Sequence, residues 1–130
     1  MGSPATLNQM RSSSIVCLCG STRFAGAFDQ ANRIETLAGK IVLSVGFYDQ
    51  AEGTVLTAAE LAQLARLHLA KIDLADEILV INPGGYVGSS TRDEIAYASR
   101  QGKRIRWWAA ENELVGGGEH EDPVKQDPVE

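Results

Sequence analysis

The sequence predicts an α/β fold: a small doubly wound parallel sheet of four to five strands, flavodoxin- or Rossmann-like in layout, with helices on both faces. Three observations predict it. Short unbroken apolar runs, IVCLC at 15–19 and ILVI at 78–81, fit strands buried on both faces. Segments with apolar residues at helical spacing lie between the runs. Loops carrying Gly, Ser and Thr leave the first and third strands directly, so the order is β-α-β-α-β-α-β, and parallel strands in that order need right-handed crossovers.

In chain order, the first strand covers 15–19. Gly20 allows a tight turn, Ser21 and Thr22 offer hydroxyls, and Arg23 suits a phosphate or a carboxylate. The competing reading is an ordinary N-cap with a surface arginine. A helix over 24–38 follows, its stripe made by Phe24, Ala27, Phe28, Ala31, Ile34 and Leu37 or Ala38, and Gly39 ends it. The second strand is 40–45. Phe47 and Tyr48 leave it, placed either to stack on a planar ligand or to pack at the strand end, and 49–56 form a turn-rich rim.

Thr57-x-x-Glu60 is a capping box, opening a helix that runs to about residue 75. Leu61, Leu64, Ala65, His68, Ile72 and Ala75 share one face. His68, in the middle of that stripe, reads first as a hydrogen-bonded core residue. The third strand, 78–81, is stopped by Asn82-Pro83-Gly84-Gly85. Ser89, Ser90 and Thr91 are N-cap candidates for a third helix, which Gly102 ends. The last strand is 103–108 (KRIRWW), its charged start suiting an edge, with Trp107 and Trp108 on opposite faces and one of them exposed for a subunit contact.

Ligands of open α/β sheets bind at the carboxyl ends of the strands. The loops after strands one and three, 20–23 and 84–94, therefore converge on one crevice. Glycines such as Gly85 let backbone approach a ligand, and Ser89 and Ser90 offer hydroxyls there. Glu94, on the first turn of the third helix, has two readings. Thr91-x-x-Glu94 matches a capping box, as Ser90-x-x-Asp93 does without the usual Glu. Alternatively, a carboxylate at this edge does nucleophilic or acid–base work.

Composition narrows the classes. At 130 residues the chain holds one domain over 15–110, preceded by a flexible lead-in at 1–14. Its net charge of −5 belongs to the stretch 111–130, where seven acids face one lysine; the rest carries eleven bases and ten acids. That glycine-, proline- and acid-rich stretch is expected to be a disordered tail. A nearly neutral body without a basic stripe excludes general nucleic-acid binding. No apolar run is long enough to span a membrane, and the start lacks the apolar core of a signal peptide.

Cys17 and Cys19, two apart on a strand, point to one face as buried thiols, which suits a cytoplasmic protein. No metal and no cofactor are expected: zinc sites take three or four ligands, and only His68 and His120 are available to join the thiols.

CGSTRF (19–24), KIDLADEILVIN (71–82), GGYVGSSTRDEIAYA (84–98) and the following Gly102-Lys103 resemble the nucleoside 2-deoxyribosyltransferase-like family, which includes 2'-deoxynucleoside 5'-monophosphate N-glycosidases. The resemblance covers 15–108 in order. It implies that Glu94, in EIAYA, is the nucleophile that attacks C1' and displaces the base. It also implies that Gly20, Ser21 and Arg23 belong to a loop contacting sugar or 5'-phosphate, and that Ser89 or Ser90 assists. Two positions depart from the family pattern. Gly88 stands where transferases carry an acid, leaving room for a phosphate. His68 stands where an aspartate handles the base, so it becomes a candidate general acid or a substituted supporting residue.

The implied partner is a small nucleoside or nucleotide, with no nucleic-acid polymer and no membrane. Homo-oligomers, dimers or larger, are expected because sites in this family are often completed across subunits. Two other functions stay open. PGGYVGSSTRDE loosely resembles the loop of lonely-guy type phosphoribohydrolases. A small α/β domain with two phosphate-ready loops also suits a non-catalytic nucleotide sensor.

Overall fold

A computed structural model describes residues 12–46 and 55–113. The described chain forms four strands: β1 (Ile15–Gly20), β2 (Ile41–Leu43), β3 (Glu77–Ile81) and β4 (Arg104–Trp107). Helices α1 (Ala25–Leu37), α2 (Ala58–Leu74) and α3 (Ser89–Arg100) connect them, and a short α4 (Trp108–Asn112) follows β4. All pairings are parallel, in the order β2-β1-β3-β4. The chain thus winds one way from β1 to β2 and the other way from β3 to β4. The reversal between β1 and β3 is where such sheets open a crevice at their carboxyl ends.

The fold class read from the sequence therefore holds, with four strands. Strand alternation splits the core into two layers. Val16, Leu18, Leu79 and Ile81 point to one face, where Phe28 and Ala31 of α1 and Trp108 cover them. Cys17, Cys19, Ile78 and Val80 point to the other, under Ile72, Ala75 and Ala98 from the α2 and α3 side. At the amino end of the sheet, Asp76 fixes the β1–β3 register: its carboxylate accepts the Ile15 N–H at 2.7 Å, and its N–H donates to Ile15 O at 2.8 Å.

Several expectations are corrected. The final strand stops at Trp107, and Trp108 turns inward as the first residue of α4, buried against the α1 layer, while Trp107 stays 38% exposed. The N–H of Ala109 donates to the Asn82 side-chain carbonyl at 2.8 Å, which ties α4 to the end of β3. Residues 111–113 accordingly belong to the folded domain; the rest of the acidic stretch lies outside the described residues, as does the 1–11 part of the lead-in.

The α1 stripe also shifts. Ile34 and Leu37 are exposed and Glu35 is buried in their place, because Arg106 and Lys40 answer its charge. On α2, Leu61 and Ala65 are exposed, and burial concentrates at His68 and Ile72. The Thr57 capping box forms in both directions, at 3.1 and 2.9 Å. Among the described residues no helix is long and apolar enough to cross a membrane.

Candidate active site

The loops after β1 and β3 leave the carboxyl ends of the two central strands, where such sheets bind ligands. Gly20 does not make the tight turn expected of it; it is still in β1, opposite Ile81. A Cβ there would lie 2.7 Å from the Ile81 carbonyl oxygen, so glycine is needed for the close approach of two central strands. Ser21 is buried, its hydroxyl accepting the Arg23 N–H at 3.3 Å and its carbonyl accepting the Phe24 N–H at 3.1 Å. It shapes the loop from within. Arg23 is exposed, its guanidinium carbon 4.7 Å from the centre of the Tyr86 ring, and Phe24 packs edge-on to Tyr86 at 5.6 Å.

The two loops therefore meet, as the topology predicts. Tyr86 is the contact that joins them, and sequence reasoning passed over it. An aromatic residue set inside a glycine-rich loop was the signal available.

The glycine loop is less open than expected. Residues 83–85 form a single 3-10 turn, for which Gly84 and Gly85 adopt positive φ of 65° and 87°. The Gly85 N–H donates to Asn82 O at 2.8 Å, and the Gly84 N–H donates to the Glu113 carboxylate at 2.9 Å. Both donors are thus engaged by the chain's own oxygens. Ser89 and Ser90 are exposed at the first two positions of α3. Tyr48 and Phe47, with the rim at 49–54, lie outside the described residues.

Glu94 does not cap α3. Gly88 is the N-cap, and no side chain caps it. Thr91 is the third helical residue, and Glu94 sits in the second turn rather than the first. Neither capping box proposed for this helix forms, because both require an N-cap two or three residues later than the one used. The Glu94 side chain is instead 20% exposed, with Oε1 3.7 Å from Nε2 of His68.

His68 belongs to a buried cluster. Its Nε2 lies 3.3 Å from the Cys19 sulfur and 3.8 Å from that of Cys17. Both cysteines are free thiols. His68, named above as available to join the thiols, does reach them: α2 brings it over β1, and α3 adds Glu94. The Cys17 thiol is lowered to about 6, first by its bond from Cys19, then by His68 and Lys71, which together outweigh burial. The same Cys19–Cys17 bond, with burial and the nearby negative charges of Cys17 and Glu94, raises Cys19. Burial works against a charged His68, yet the Cys17 sulfur and the charges of Glu94 and Cys17 raise it above its ordinary value.

The arrangement can hold an imidazolium between a thiolate and a carboxylate, which fixes Glu94 electrostatically without a direct short bond. Asp73 takes no part: its carboxylate accepts the Tyr97 hydroxyl at 2.7 Å. The chain matches no protein-family model, no curated protein and no solved structure.

Proposed function

We propose that this protein cleaves, or transfers across, the N-glycosidic bond of a nucleoside or nucleoside 5'-monophosphate, with Glu94 as nucleophile. The observation that carries the reading is the release of Glu94 from helix capping. It is a part-exposed carboxylate beside a buried, charge-favoured imidazole, on the helix that follows the β3 loop. A glutamate kept only for capping would sit three residues after the N-cap.

In the proposed reaction a Glu94 oxygen forms an ester bond to C1' as the C1'–N bond breaks. The base departs with the bonding pair and takes up a proton from solvent. Water or a second base then attacks C1' and frees the carboxylate, the two-step logic of retaining glycosidases. His68 acts as a positioning residue, since its Nε2 is directed at Glu94 and the sulfurs. Arg23, exposed over Tyr86, supports a 5'-phosphate as the anionic part of the substrate. The two reduced thiols suit a cytoplasmic setting.

The test is base release from deoxy- and ribonucleosides and their 5'-monophosphates, followed by chromatography. Release that is lost in Glu94→Ala supports the reading, and a requirement for added base identifies a transferase. Nucleotide binding without any release supports the sensor instead. A homo-oligomer is the proposed assembly, since Trp107 on edge strand β4 and Leu67 and Leu74 on α2 stay exposed. Light scattering that gives a monomer at micromolar concentration rejects it.

A further inference from the structure

We propose that Cys17, Cys19 and His68 form a binding site for a thiophilic divalent cation of the zinc class, with Glu94 closing the coordination sphere. The site itself does not depend on the glycosidase reading. The three ligand atoms lie within 4.8 Å of one another and all three residues are buried. The individual separations are 3.3 Å (Cys19 to His68), 3.8 Å (Cys17 to His68) and 3.7 Å (His68 to Glu94). A tetrahedral zinc with sulfur at about 2.3 Å and nitrogen or oxygen at about 2.0 Å spaces its ligand atoms by roughly 3.3–3.8 Å. The three separations from His68 Nε2 fall in that range, and the two sulfurs lie within 4.8 Å of each other. A direct imidazolium–carboxylate bond, by contrast, closes to about 2.8 Å. The 3.7 Å gap between His68 and Glu94 is too wide for that bond and suits two ligands of one ion.

Donor chemistry names the ion class. Two sulfurs and an imidazole select zinc-like cations over magnesium or calcium, which take oxygen. The ligands come from three regular elements, β1, α2 and α3, and alternation along β1 puts both sulfurs on the same face. Binding sends the thiol protons to solvent and changes no oxidation state. Two thiolates, a carboxylate and a divalent ion leave one negative charge. Lys71 balances it: its positive charge reaches Cys17, and its ammonium is anchored on the Ser44 carbonyl at 2.6 Å. If Glu94 is the nucleophile, metal occupancy and glycosyl chemistry exclude each other, because both use the same carboxylate.

The test is a titration of the reduced, full-length protein with Co2+, read by absorbance. The expected result is a near-ultraviolet thiolate-to-cobalt band that saturates at one equivalent and is displaced by Zn2+. His68→Gln should weaken binding by about 100-fold or more, since loss of a mere supporting partner already costs 10–100-fold. Cys17→Ser should remove about half of the band. Zinc should also raise the melting temperature of the wild type and leave that of His68→Gln unmoved, a readout that stands if the cysteine variant fails to fold. Absence of the band in the reduced wild type overturns the site, as does unchanged affinity in His68→Gln. With base release read on the metal-free protein, a cobalt band without release leaves the metal site and removes the glycosidase reading; release without the band does the reverse.

Discussion

The two faces of the sheet treat buried charge in opposite ways. On the α1 face, Arg106 donates to both oxygens of Glu35 at 2.7 and 3.0 Å and to Glu111 at 2.7 Å. Lys40 closes on Glu77 at 2.7 Å. Every one of these contacts is a short, charge-assisted bond. On the α2 and α3 face, two thiols and a carboxylate gather around the His68 imidazole at 3.3–3.8 Å from its Nε2. The first arrangement is complete in itself. The second gathers nucleophilic and metal-ligating groups around one buried imidazole, a pattern expected where a substrate or an ion is to be met.

The comparison can be broken by substitution on each face. The largest effect is expected for Glu94→Gln, which should lower base release by at least about 1,000-fold while leaving the melting temperature nearly unchanged, because the residue caps nothing. A fall in melting temperature with activity retained would put Glu94 back among structural residues. On the other face, Arg106→Met should destabilise by about 3 kcal/mol in urea unfolding, the lower end for a broken buried pair, since Lys40 still serves Glu77 and reaches Glu35. Unchanged stability would mean that the network is no tighter than a surface ion pair.

The smallest effect sharpens the same contrast through pH. The hydrogen bond from Arg106, against the pull of burial, holds the Glu35 carboxyl below its ordinary 4.5. A depressed carboxyl stabilises the fold fully above its unfolded value, and the contribution is lost as pH falls through the folded one. The melting temperature of the wild type should therefore exceed that of Glu35→Gln near neutrality, with the gap closing below about pH 4.5. A gap independent of pH would assign Glu35 a packing role alone.

Much of this was legible in the sequence. The runs at 15–19 and 78–81 fixed the two central strands, and Thr57-x-x-Glu60 fixed the start of α2, because each signal is local. Glu94 and His68 were legible as candidates through their motif and position. Their meeting with Cys17 and Cys19 was not, since it depends on how α2 and α3 settle over β1, contacts 26 to 51 residues apart in the chain. The capping register of α3 was misread for a related reason. Ser89, Ser90 and Thr91 are all good N-caps, and only the path of the preceding loop selects Gly88. The burial of Glu35 and of Trp108 was hidden because long-range partners, Arg106 and the end of β3, decide both.

The most direct test of the central claim is the mass of the protein quenched by acid during turnover of a cleavable nucleotide. A nucleophilic Glu94 predicts a covalent increment of one glycosyl unit, located on the peptide that carries residue 94 and absent from Glu94→Gln. Base release with no increment, or an increment on another residue, would contradict it.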